Sequence, residues 1–242
     1  MPMMRLAIVN KGDGSILNFL RRKNRIVSFI FVILSLFLVA KLYAYDDGDF
    51  QVWNTDVEEV QLKKNLKLVF EQEFRWANNA KEFYYQHYDA GLAYAFNKAW
   101  SVGGGYRQIY ARTAHQPWLT ESSPYLFFTY FGELAGFKFD DRNRFEYQYF
   151  SFQADTGRYR NKLTVKAPWK FTKLEIQPFI SEEFFIMIGG DQGLNQNRLS
   201  AGFSFNLTKN LKAELYYMLL SFKSASVWKD YNVLGTKVKV AF

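Results

Sequence analysis

The chain has 242 residues and no cysteine, which excludes disulfide staples and cysteine-ligated metal sites. Histidine is nearly as scarce. His87 and His115 are the two copies, and they lie far apart in the sequence. A histidine zinc site is therefore not expected, and no metal or cofactor is expected. Clustered positive charge is missing too. The formal net charge is +8, but seven of the 31 basic residues and one of the 23 acidic residues fall within positions 1–44, leaving 24 bases against 22 acids, interspersed. A phosphate-backbone surface needs bases gathered on one face, so nucleic acid is not an expected partner. A long apolar run is absent as well. Residues 26–40, IVSFIFVILSLFLVA, are fifteen uncharged positions, short of the ~20 that a spanning helix needs.

That run has a different meaning. Arg21-Arg22-Lys23-Asn24-Arg25 precedes it and Leu42-Tyr43-Ala44 follows it. The order of charge, apolar stretch and small residue is that of a secretory signal peptide. Cleavage is expected near Ala44, with residues 1–20 as an N-terminal extension. An uncleaved membrane anchor is the alternative reading. Residues 45–242 are expected to form one domain.

Aromatic residues make up 19% of the chain, a surplus that suits a membrane interface. From Phe50 onward the dominant period is two. Leu66, Leu68, Phe70, Phe74 and Trp76 share one face, opposite Lys67, Glu71, Glu73 and Arg75. Leu199, Ala201, Phe203, Phe205 and Leu207 oppose Arg198, Ser200, Gly202, Ser204 and Asn206. Such alternation predicts strands with one apolar and one polar face. Eleven candidate strands result, near 50–61, 66–77, 82–96, 100–112, 122–131, 137–152, 158–167, 173–186, 196–207, 210–223 and 229–242. Many exceed ten residues, and a tilted spanning strand needs ~9–11. Short turns alternate with longer polar loops, the arrangement of outer-membrane barrels. The expected fold is all-β, a single antiparallel transmembrane β-barrel of 10–12 strands. Twelve is favoured over the counted eleven, because closure normally takes an even number. Pro178 predicts a bulge, and Gly103-Gly104-Gly105 predicts a tight bend or a place where the lumen needs room.

The polar faces predict a lumen lined by Glu71, Glu73, Arg75, His87, Asp89, Arg107, Arg144, Glu146, Arg160, Lys162, Glu175, Gln177, Arg198 and Glu214. Arg144 and Glu146, Arg160 and Lys162, and Glu175 and Gln177 lie on three successive strands, where opposite charges can pair across the ladder. Trp76, Trp100, Trp169 and Trp228 fall near strand ends, as an aromatic girdle would. Gly235, Val238, Val240 and Phe242 end the chain in a pattern similar to the sorting signal of outer-membrane barrels, which ends on an aromatic.

Several blocks resemble the uncharacterised family called domain of unknown function 2490. They include Phe50-Gln51-Val52-Trp53-Asn54, Glu71-Gln72-Glu73-Phe74-Arg75, Arg144-Phe145-Glu146-Tyr147, Glu175-Ile176-Gln177-Pro178-Phe179 and Tyr231-Asn232-Val233-Leu234-Gly235. The resemblance covers nearly all of residues 48–242. It implies an outer-membrane barrel and supplies no activity.

The functional expectation is a narrow channel or structural barrel in the outer membrane of a Gram-negative bacterium, with a salt-bridged lumen. Its expected partners are outer-membrane lipid, the barrel-assembly machinery and a small polar solute. Two alternatives are weighed. His87 and Asp89, with a serine such as Ser101 or Ser200, would suggest a lipid hydrolase. A soluble periplasmic barrel binding an apolar ligand shares the same period. The loop holding His115, Pro117 and Trp118 could contact a ligand or rest on the membrane.

Overall fold

The computed structural model describes residues 47–112, 117–189, 193–224 and 227–242. The expected signal segment, 1–44, and His115 lie outside the described residues. Within them the chain is all β. The strands are β1 (Phe50–Lys63), β2 (Leu66–Ala77), β3 (Glu82–Ala95), β4 (Trp100–Ala111), β5 (Leu119–Leu134), β6 (Phe137–Phe150), β7 (Thr156–Lys166), β8 (Gln177–Ile188), β9 (Gly193–Asn206), β10 (Leu211–Ser224) and β11 (Val227–Ala241). No helix among them is long and apolar enough to cross a membrane, which says nothing of crossing by strands.

The sheet closes on itself as an eleven-stranded barrel. The expectation of an even count, with twelve favoured, is thereby corrected. Each sequential pair is antiparallel, so the first and last strands of an odd meander run the same way. They close the wall as a parallel pair, from Phe50 opposite Asn232 to Glu59 opposite Ala241. Parallel pairing satisfies the backbone groups of both edges as an antiparallel pair would. The Pro178 expectation is also corrected. Pro178 is the second residue of β8, at a strand end where a missing N–H is tolerated, and the β8 irregularity falls between Phe185 and Ile186.

The two faces of the wall differ. Phe70, Leu126, Phe145, Ile180, Leu199 and Leu215 are exposed on the outside, whereas Glu73, Asp89, Arg107, Arg144, Glu146, Arg160 and Glu183 are buried on the inside. Polar side chains interrupt the outer face. By strand alternation β1 turns Asn54, Asp56 and Glu58 outward, and β6 to β9 turn out Asp141, Asn143, Asn161, Glu182 and Asn197. Most of the second group bond one another. Asn161 donates to Asp141 at 2.5 Å and to Asn143 at 3.2 Å, and Asn197 donates to Glu182 at 3.1 Å.

Glycines admit rings to the inner wall. A Cβ on Gly103 would sit 2.4 Å from the Phe127 ring, and one on Gly235 would sit 2.1 Å from the Tyr216 ring. The glycine triplet on β4 is thus a place where the lumen needs room. A small apolar cluster of Trp53, Met218, Leu220 and Val233 fills the lumen beside the parallel seam.

Candidate functional site: the charged lumen

Strand alternation aims the polar side chains inward, and closure brings strands distant in sequence within reach of one another. At mid-height the inner wall carries a nearly continuous circuit of ion contacts. Arg75 on β2 holds Glu73 through Nε at 2.7 Å, and Thr55 donates to the same carboxylate at 2.9 Å. Glu71 receives Arg107 at 3.1 Å and lies 3.3 Å from His87 Nε2. Arg107 also donates to Asp89 at 2.9 Å, and Asp89 lies 3.4 Å from Arg144 on β6. The Tyr125 hydroxyl from β5, one of the two strands between them, donates to Asp89 as well.

Glu146 is the hub of the next segment. Arg158 lies 2.5 Å away and Arg160 2.9 Å away, and Arg144 Nε lies 2.7 Å away without hydrogen-bond alignment. Arg160 continues to Glu183 at 2.8 Å, and Arg198 reaches Glu183 at 3.3 Å. Trp53 joins the ends of the chain. Its ring has the Arg75 guanidinium 3.6 Å from its centroid and the Arg198 guanidinium at 5.0 Å. Each arginine here faces a carboxylate, an aromatic ring or both, which is what burial of a charge requires. A cavity of about 100 Å³ remains among these groups, room for a few waters.

The lumen widens on either side of this circuit. Toward the long loops lies a cavity of about 510 Å³ whose walls include Tyr84, Ile109, Leu119, Phe152, Leu220 and Phe222. Toward the short turns lies one of about 350 Å³, lined by Arg142, Lys162, Lys166, Lys212, Lys237 and Lys239 with Asp140 and Glu214.

Of the expected lumen residues, Glu71, Glu73, Arg75, His87, Asp89, Arg107, Arg144, Glu146, Arg160 and Arg198 lie in the mid-height circuit. Lys162 and Glu214 line the short-turn cavity. Gln177 starts β8 and donates to the Ala167 carbonyl at 2.6 Å. Glu175 does not join them. Residues 167–176 fold back through a bridge between Phe171 and Ile176, and β8 begins only at Gln177. Glu175 stands exposed in that connection with a left-handed φ of 47°. Hydrogen bonds from Lys170 and Asn206 hold its carboxylate below the usual range. Glu183 occupies the place expected of it, directly opposite Lys162. Glu183, Arg142, Arg158, Glu121 and Lys237 were missed. The first three carried a signal, because each shares parity with an identified neighbour on its own strand.

The remaining expected positions lie at the rims. Trp100 starts β4 and Trp169 sits in the β7–β8 connection, both on the short-turn side. Trp76 and Trp228 lie toward the other rim. Val238 and Val240 alternate outward on β11 and Gly235 faces inward against Tyr216. The exposed Phe242 exchanges backbone hydrogen bonds with β1, donating to Glu59 at 2.8 Å and accepting from Gln61 at 3.0 Å. His87 is buried, with the Tyr85 hydroxyl 3.0 Å from Nδ1. Its polar contacts are Tyr85, Glu71 and Glu73, with no serine among them.

Residues 50–231 match the family model described as protein of unknown function (DUF2490). No curated protein and no solved structure matches the chain. The chain belongs to that family.

Proposed function

We propose, for a member of a family that carries no assigned activity, that this chain is an outer-membrane β-barrel whose lumen is closed at mid-height by its own ion pairs. It is a structural barrel or a very narrow channel, open as a vestibule at either end. The observation that carries this reading is the inversion of the wall, with large aromatic and aliphatic side chains outside and enclosed arginine–carboxylate contacts inside. A water-soluble barrel gains stability from the opposite arrangement. Lipid is the surrounding that rewards an apolar exterior. Trp100 and Trp169 near one rim, and Trp76 and Trp228 near the other, fit the two interfacial girdles of such a barrel. Under this reading residues 1–44 are the export signal, and the C-terminal strand ending at Phe242 is what the assembly machinery recognises.

The outward carboxylates at Asp56, Glu58, Asp141 and Glu182 weigh on the other side. A lipid-facing acid is unfavourable, though less so than the ~2–4 kcal/mol of a midplane Lys or Arg. These four carboxylates, two of them hydrogen-bonded to neighbouring asparagines, are set against large apolar side chains on most of the strands, which leaves the membrane reading ahead. The soluble ligand-binding alternative draws on one feature, the more apolar long-loop cavity, and on nothing in the charged middle. Our reading assigns no chemical step to His87, whose neighbours are a phenol and two carboxylates.

Planar-bilayer recordings of the refolded protein test the closure. The expected result is a silent membrane or a conductance far below that of an open porin. A large, steady conductance would remove the closed lumen from the account.

A further inference from the structure

The short-turn vestibule holds an electrostatic arrangement that the fold neutralises only in part. On the inner face of the β6–β7 and β10–β11 ladders, like charges stand directly opposite each other. Arg142 faces Lys162, Lys138 faces Lys166, and Lys212 faces Lys239. Like charges in register destabilise a sheet. One pair further up the same wall, Arg144 opposite Arg160, has the same problem and a solution: Glu146 lies between them, within 2.7 Å and 2.9 Å.

Among the described residues no carboxylate contacts both members of a vestibule pair in this way. Each has one partnered member. Arg142 reaches Glu183 at 3.3 Å, Lys166 reaches Glu214 at 3.5 Å, and Lys239 reaches Glu59. Among the described residues the opposite members, Lys162, Lys138 and Lys212, form neither a hydrogen bond nor an ion pair, although Glu183 on β8 stands opposite Lys162 in register. Six cations against two acids line a cavity of about 350 Å³. That volume falls in the usual range for small-molecule sites. Thr129, Thr164 and Ser181 add hydroxyl donors to the same lining.

We propose that this vestibule binds a small phosphorylated solute carrying at least two negative charges. The anion engages Lys162 and Lys212, which line the same cavity from β7 and β10, as Glu146 engages Arg144 and Arg160. Lysine ammonium groups on flexible stems bind phosphate as point charges without requiring a fixed fork. A multiply charged anion has oxygens enough to engage both unpartnered lysines and the hydroxyls together. The inference rests on the lining of the lumen and not on the lipid assignment, so it holds or fails independently of it.

The test is calorimetric titration of the detergent-solubilised, refolded barrel with inorganic pyrophosphate, orthophosphate and acetate at constant ionic strength. The expected result is saturable binding of pyrophosphate, weaker binding of orthophosphate and none of acetate. K162M combined with K212M should weaken pyrophosphate binding at least tenfold, while K98M, in an exposed turn, should leave it unchanged. Should the double variant fail to fold, the single variants K162M and K212M carry the comparison, each with a measurable loss. Absent saturation in the wild-type protein, or equal binding by the wild type and the folded vestibule variants, would overturn the proposal.

Discussion

The middle of the lumen and its short-turn end are built from the same side chains and treat them differently. At mid-height the side chains of Arg144 and Glu146 are 4% and 0% exposed, and they are joined to each other and to further partners. In the vestibule Lys237 and Arg142 are each 34% exposed, on carboxylate contacts of 3.5 Å and 3.3 Å. Buried charge cannot persist without a partner. Charge in a wet vestibule can, because water screens it. The difference separates the cations that the fold must satisfy from those it leaves available to something else.

The largest effect is expected at the hub. Glu146→Gln leaves Arg144, Arg158 and Arg160 around a neutral amide, in a place where breaking a buried pair costs ~3–5 kcal/mol. Urea unfolding in lipid vesicles should show the loss, and a change below about 1 kcal/mol would mean that the middle is as tolerant as the vestibule. Lys162→Met removes a like charge opposite Arg142 and an opposite charge facing Glu183, two effects of opposing sign, and should change stability by less than ~1 kcal/mol. A loss as large as that of Glu146→Gln would erase the contrast between the regions. The smallest effect is expected outside the lumen altogether. Asp56→Leu on the outward face of β1 should stabilise the lipid-refolded barrel by a few tenths to ~1 kcal/mol, since it removes a carboxylate from an apolar surrounding. A destabilised Asp56→Leu barrel would show that this position faces a polar neighbour.

Much of this architecture was legible because a strand repeats every two residues and a barrel has only two faces. Parity puts Glu73, Asp89, Arg107 and Arg160 on the polar faces, the bulk and number of the apolar side chains turn those faces inward, and the eleven candidate segments correspond to the eleven strands. The expectation that went astray was the rule applied to that count. Evenness follows from antiparallel closure, and nothing local in β1 or β11 announces that they pair in parallel. Glu175 was misplaced for a related reason. A run of alternating residues does not show where a connection ends, and the turn through Phe171 and Ile176 delays β8 until Gln177. The contacts that matter most were the least legible. Asp89 on β3 meets Arg144 on β6 across both β4 and the Tyr125 strand, and Arg75 meets Arg198 through Trp53. Such contacts depend on the curvature of the closed wall and the length of the side chains, neither of which is written in a single strand.

The most direct measurement is where the protein resides in cells that express it. Osmotic shock followed by separation of the membranes should leave the barrel in the outer-membrane fraction, resistant to a urea wash and released only by detergent. Recovery in the shock fluid without detergent would mean that Phe70, Leu199 and Leu215 face water in the living cell, and the account built on their exposure would be wrong.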